Sequence, residues 1–257
     1  MRSRISPMRL ARHFAGLALA FVALLVLQPT PGLGQSSATP EVVTGFVSGY
    51  EAPQPLPTGP LDQFVQVVDL DPGAATPIHY HLGPGFATIL QGEVTHHRLA
   101  TGRDTVYGPG STWVEIPEDV HYARDEAVTP ATILATFILP RSAEGSIPTA
   151  EQPDPQRPPP TVPNAARVPI TSTASGYEVT QFLRSYDPGS STSSQLSPGA
   201  QAVVLVVSGS LAVQDGKDAT SFETGDWWLE TSGSVTTSWN QASPPASAVV
   251  SILTPRQ

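Results

Sequence analysis

The chain contains no cysteine. This one absence excludes disulfides, thiolate metal ligands and a cysteine nucleophile together, so stability must come from packing and any site must use histidine and oxygen groups. Basic residues are scarce, 13 Lys and Arg against 22 Asp and Glu, which argues against nucleic acid as a partner. Aromatic residues make up only 7% of the 257, and no apolar run reaches the roughly 20 residues of a membrane-spanning helix. No Ser/His/Asp arrangement, phosphate-binding glycine loop or basic aromatic patch appears. What is abundant is proline (28) and glycine (21), interleaved with Ser, Thr and short apolar pieces. That composition favours short strands joined by turns over long helices.

Residues 1–34 read as an export signal: Arg2, Arg4, Arg9 and Arg12 precede an apolar run from Phe14 to Leu27, followed by Pro29, Pro31 and small residues. The expectation is a cleaved signal, a mature chain beginning near Gln35 with no stable membrane span, and an extracytoplasmic location, periplasmic or extracellular. Without that segment nine basic residues face 22 acidic ones, a formal charge of −13.

Residues 35–60 read as an N-terminal arm able to add an edge strand. Between 61 and 140, strand-length pieces such as Phe64 to Leu70, Phe86 to Leu90 and Ala131 to Leu139 alternate with turns, the rhythm of a small β-barrel. Residues 141–169 are proline-rich, including Pro158 to Pro160, and read as a linker or strap. Residues 170–257 then repeat the first half. Asp187-Pro188-Gly189 echoes Asp71-Pro72-Gly73, and Gly225 to Glu230 echoes Gly110 to Glu115 at a shift of 115, which also carries Pro140 onto Pro255.

The chemistry centres on His79 and His81. One residue apart on a strand, they project to the same face and can share one ion. A third histidine, His121, follows Ile116-Pro117-Glu118-Asp119-Val120. The series Gly73, His79-Tyr80-His81, Gly92, then Gly110, Pro117 and His121 resembles the two motifs of the cupin superfamily. The resemblance implies an all-β fold of two cupin-type jelly-roll β-barrels in tandem, and a divalent metal held by His79, His81 and His121. Zinc, iron, copper, nickel and manganese are all compatible with that set.

The chain departs from the family pattern in two places. Where the family usually carries a metal-binding glutamate this chain has Gly85 or Phe86, so that a carboxylate introduced at Gly85 is expected to complete the shell. The family's Pro-x-Gly-x-x-His is one residue shorter here, and Asp125 stands where asparagine is common. The second copy has no histidine at all: His121 falls on Thr236, and the positions facing His79 and His81 fall between Ser193 and Ser197. It reads as a degenerate barrel that serves as a packing partner.

Other candidates weigh less. His96 and His97 are adjacent, so only one can face a barrel interior, and both are expected to be solvent-exposed. Trp113 and Trp228 hold equivalent places and read as core. Glu115 has an equivalent in Glu230, which makes it a poor candidate for a general base, and Glu118 and Asp119 could orient His121 as carboxylates. Three functions stay open: a metal-dependent enzyme on a small molecule, oxygenase-like or of another kind; a non-catalytic protein binding a small molecule or metal; and a vestigial structural module. The sequence does not specify the oligomeric state.

Overall fold

The computed structural model describes residues 41–52, 55–150, 156–241 and 243–256. Among them every regular element is a strand, as the turn-rich composition requires, and no helix is long and apolar enough to cross a membrane. The segment read as an export signal lies outside the described residues.

Four sheets build two barrels. In the first, a five-stranded sheet runs in the order β11 (Thr161–Pro169), β2 (Leu61–Leu70), β9 (Ala131–Pro140), β4 (Gly85–Gln91), β7 (Thr112–Glu115). It faces a second sheet ordered β10 (Ile147–Pro148), β3 (His79–Tyr80), β8 (His121–Arg124), β5 (Val94–Arg98), β6 (Arg103–Tyr107). The second barrel repeats this with β1 (Val42–Glu51), β12 (Gly176–Tyr186), β19 (Ala246–Arg256), β14 (Gln201–Ser208), β17 (Trp227–Thr231) facing β13 (Ser191–Gln195), β18 (Val235–Trp239), β15 (Ser210–Asp215), β16 (Asp218–Glu223). All pairings between these strands are antiparallel.

The sheets that contain β2 and β12 exchange edges. The arm's β1 precedes the first barrel but pairs with β12 of the second, and β11, at the end of the proline-rich segment, pairs back onto β2 of the first. That segment therefore does more than connect: it supplies β10 and β11. Pro163 and Pro169 are tolerated because β11 is an edge strand, where a missing N–H costs no ladder bond. Each exchanged strand also covers a sheet edge that would otherwise be open to other chains.

Period-two alternation sorts the side chains. On β2, Val65 and Val67 pack into the interface between barrels with Leu134, Val203, Leu205 and Val249. Val68 and Leu70 belong to the first barrel's own core with Ile89, Trp113 and Ile133. The second barrel is filled by Phe182, Tyr186, Leu211, Trp228 and Val250. Matching backbone turns accompany the repeat: Gly92 and Gly209 both adopt positive φ, +74° and +72°, and a Cβ on Gly92 would sit 2.4 Å from the Pro130 carbonyl oxygen. Only glycine suits both demands.

A buried polar chain runs through the interface. Thr136 and Ser251, equivalent in the two copies and both inaccessible to solvent, share a hydrogen bond of 2.7 Å. Gln181 Nε2 donates to Thr136 Oγ1 (2.9 Å), and Gln63 Nε2 donates to Ser251 Oγ (3.2 Å) and the Ser251 carbonyl (2.9 Å). Thr136→Val keeps the shape but leaves these partners short of a bond. It is expected to lower unfolding free energy by about 1–3 kcal/mol in a denaturant titration, and Thr136→Ser, which keeps the hydroxyl, by less.

Candidate metal centre

His79 on β3 pairs directly with His121 on β8. His81 follows β3 on the same face, and its carbonyl accepts a hydrogen bond from the Glu118 N–H (2.8 Å). The three rings meet inside the first barrel with centroids 4.8 Å (His79–His81), 4.6 Å (His79–His121) and 5.3 Å (His81–His121) apart. One nitrogen from each lies within 4.8 Å of the others, in the arrangement of a metal-ligand group.

Their orientation is fixed from behind. His79 Nδ1 bonds the Pro77 carbonyl (2.7 Å), His81 Nδ1 the Gly145 carbonyl (2.6 Å) and His121 Nδ1 the Asp119 carbonyl (2.8 Å). A carbonyl oxygen only accepts, so each Nδ1 carries a proton and each Nε2 of a neutral ring keeps its lone pair for the centre. The Gly145 carbonyl comes from the strap, and a Cβ on Gly145 would lie 2.6 Å from Phe64 Cε1, so glycine lets the strap approach this closely. Asp119 orients His121 through its backbone, since its carboxylate is bonded to Arg98 Nε (2.6 Å). Glu118 stands at φ +65°, the one non-glycine positive φ among the described residues, in the turn that the shortened motif makes. Its role is that turn.

Glu115 stands beside the group, a position that its reading as a poor general base does not anticipate. It sits on β7 opposite Gly85 on β4, so a carboxylate lies beside the histidines although Gly85 offers none. Its Oε2 lies 3.0 Å from His81 Nε2 and its Oε1 3.2 Å from His121 Nε2. These contacts are close enough to pair charge but lie off the line of a hydrogen bond, and Glu115 Oε2 and His121 Nε2 are both buried without a hydrogen-bond partner. The equivalence with Glu230 explains only one oxygen. In both copies Oε1 accepts the indole N–H two residues earlier, from Trp113 (2.8 Å) and Trp228 (3.0 Å). In the second copy Oε2 accepts from Ser194 (2.6 Å), the residue in the place of His79, while in the first it faces the imidazoles.

The expectation of an exposed His96 is overturned as well. His96 is 4% exposed, lies 5.0 Å from both the Trp113 and His121 rings, and has a buried Nε2 with no hydrogen-bond partner. It forms a second potential group with Glu115 and His121. His97 points outward and bonds Asp104 (2.6 Å). Alternation carried the signal for both missed residues: Val94 and Trp113 are core residues two positions before His96 and Glu115.

Burial governs the protonation of the centre. Desolvation, reinforced for His79 by His121 and His81, lowers His79 and His96 to about 4. His121 is raised: desolvation, the largest single influence, opposes this, but the charge and contact of Glu115 together outweigh it. Glu115 falls well below the usual carboxylate range for the complementary reason, burial being overcome by His121 and His81. Without metal, then, burial favours neutral His79 and His96, and the Glu115–His121 contact favours the ionised carboxylate and the protonated ring.

The sign of each linkage follows. His79 and His96 titrate lower folded than unfolded, so stability is complete above about 6.5 and is lost as pH falls toward about 4, on the order of 3 kcal/mol per group. Glu115 adds a loss as pH falls below its ordinary value near 4.5, and His121 contributes in the opposite sense, losing its stabilisation as pH rises through its raised pKa. Metal-free protein is expected to lose melting temperature between pH 6.5 and 4.5, and His96→Phe, which keeps a ring against Trp113, to flatten that decline.

The centre opens on a cavity of about 150 Å³ inside the first barrel, bounded by both sheets and by Pro160 and Val162 of the strap. In the second barrel the register replaces every imidazole: Ser194 for His79, Thr236 for His121 and Val213 for His96, with Leu196 two residues after Ser194 as His81 is after His79. Leu196 packs against that barrel's core, so apolar contact fills the space.

No family model matches the chain, and no curated protein does. Solved structures do. AerE from Microcystis aeruginosa superposes with a TM-score of 0.50 at 12% identity, over 76% of this chain and 88% of that one. Vicilin from hazelnut, Corylus avellana, gives a TM-score of 0.54 at 9% identity, over 74% of each chain. A cupin 2 conserved barrel domain protein from Leptotrichia buccalis gives 0.37 at 11% identity, over 81% of this chain and 88% of that one, too low to add weight. At such identities the first two likenesses speak to fold, and they agree with the tandem barrels described above. By fold, the chain is two cupin-type jelly-roll β-barrels in tandem.

Proposed function

We propose that the first barrel holds one divalent metal ion through Nε2 of His79, His81 and His121 and a carboxylate oxygen of Glu115, and that it acts there on a small molecule. The observation that carries this reading is the common orientation of the three rings: each Nδ1 is engaged by a backbone carbonyl, so three Nε2 atoms converge beside a buried carboxylate oxygen with no hydrogen-bond partner. A vestigial barrel would have no reason to keep three imidazoles and a carboxylate out of water at this cost. Three histidines and one carboxylate suit zinc, manganese, iron, nickel or copper, and leave coordination positions for water or substrate.

When bound, such an ion would polarise a coordinated oxygen or lower the pKa of bound water. The protein's own residues orient the ligands, exclude bulk water and close the cavity with the strap. Besides the four proposed ligands, no titratable side chain lines the cavity among the described residues. A reaction there must draw its acid–base chemistry from the centre itself, and the same observation favours non-catalytic small-molecule binding as the second reading. The exported location belongs to this proposal also, supported by the arginine-flanked apolar run at the N-terminus. It is tested by the N-terminal sequence of the mature protein, where an intact Met1 would count against cleavage.

Elemental analysis of the purified chain tests the metal. About one ion per chain is expected, lost in His81→Ala and in His121→Ala, and retained in Thr236→Ala of the second barrel. A full complement of metal in both histidine variants would remove the proposal.

A further inference from the structure

The walls of the cavity restrict what can reach the proposed ion. Ala87, Ile133, Ala135 and Phe137 form an apolar wall, Gln66 lends an uncharged amide, and Val162 closes the side toward the strap. No Lys, Arg or Asp lines it among the described residues, so the only charges are those of the centre. Glu115 already offsets one of a divalent ion's two charges. An anion of more than one charge would enter an apolar chamber without a side-chain cation, a transfer that strongly disfavours it. Size sets the other limit, because a cavity of about 150 Å³ is the scale that accommodates a benzene ring.

We propose that the ligand of this centre is a small, mainly apolar molecule of about six to eight non-hydrogen atoms, carrying no more than one negative charge and presenting one oxygen to the ion. This rests on the metal reading above. The small residues set the specificity: Ala87 and Ala135 leave the room that a ring occupies, and the amide of Gln66 offers a hydrogen bond to a polar substituent.

The test uses the full mature chain loaded with zinc. Phenol, benzoate and 2-naphthol are titrated by ligand-observed NMR, with zinc content measured in the same samples. Phenol should bind saturably, with benzoate and 2-naphthol each at least about tenfold weaker, and Ala135→Leu should weaken phenol at least about tenfold while zinc stays at one per chain. Val162→Phe, which narrows the cavity from the half-exposed strap side, should also weaken phenol and serves if Ala135→Leu does not fold. Benzoate or 2-naphthol, with nine and eleven non-hydrogen atoms, binding as tightly as phenol overturns the size limit, and phenol binding untouched by the folded cavity variants overturns its place. Absence of phenol binding at full zinc content sinks this inference and leaves the metal reading standing. A chain that takes no zinc fails the metal reading, and phenol binding that depends on the cavity there overturns this inference too, since the ligand's oxygen then has no ion to meet.

Discussion

Replacing Glu115 by glutamine is expected to reduce metal affinity by at least about a hundredfold while leaving the barrel folded. The amide keeps an oxygen for the Trp113 indole N–H, which Glu115 Oε1 accepts at 2.8 Å, so the loss falls on the other oxygen, the one aimed at His81. Losing a ligand should cost more than the ten- to hundredfold typical of a group that only orients one. The change has a second signature in the metal-free protein. His121 is raised because Glu115 faces it, so Glu115→Gln should bring the His121 titration down, which NMR of the ring protons reads directly. Glu230→Gln in the second barrel is the control: it removes the same charge beside Trp228 and should change neither metal content nor any histidine titration. Unchanged affinity in Glu115→Gln would reduce Glu115 to the structural partner of Trp113.

The parts of this molecule legible in the sequence are those set by local chemistry. Asp71-Pro72-Gly73 and its echo at Asp187 mark turns by composition, and the single residue between His79 and His81 puts them on one face by parity. The repeat was readable because Trp113 and Glu115 recur as Trp228 and Glu230 at a constant shift. What stayed hidden depends on register between distant strands. Nothing in the order of residues says that Glu115 lies across from Gly85, because pairing of β4 with β7 brings together residues far apart in sequence. The carbonyl behind His81 comes from Gly145 in a stretch whose proline content reads as linker, and the same prolines conceal β11, since an edge strand tolerates what a central strand does not. The exchange of β1 and β11 between barrels is a topological fact, with no local signature in either segment.

The two copies also show what changes between a barrel with imidazoles and one without. Asn240 of the second barrel, bonded to the Tyr186 and Pro244 carbonyls, stands where the first has Asp125. Turn and core positions thus persist in the copy that has no imidazole. Glu230 persists because half of its work is structural, and a serine occupies the half that would have met a metal. Shared identity between repeats is therefore weak grounds for dismissing a residue: two atoms of one carboxylate can be kept for different reasons.

The sharpest consequence reverses the expectation drawn from the family motif, in which a carboxylate at Gly85 completes the metal shell. A Cβ at Gly85 would lie 2.6 Å from Glu115 Oε2 and 2.7 and 2.9 Å from two carbons of the Phe137 ring. The place is already taken by a carboxylate from the next strand. Gly85→Glu must move Phe137, which itself packs on His81 with ring centroids 4.3 Å apart, and it sets a second negative charge against the first. Overpacking of this kind costs about 1–3 kcal/mol, and the like-charge pair raises the pKa of one carboxyl so that it is neutralised. The single variant is expected to melt lower and to bind metal at least about tenfold more weakly, the opposite of a restored ligand. Adding Glu115→Ala to it removes the competing oxygen. The double variant should then regain metal relative to either single one, because the introduced side chain starts from the strand on which the family usually carries this ligand. The second barrel shows that the backbone allows a Cβ there: Ala202 pairs with Glu230 and Ile252 as Gly85 pairs with Glu115 and Phe137. Tighter metal binding by Gly85→Glu alone would mean that Glu115 does not occupy the fourth position and that the centre has three ligands.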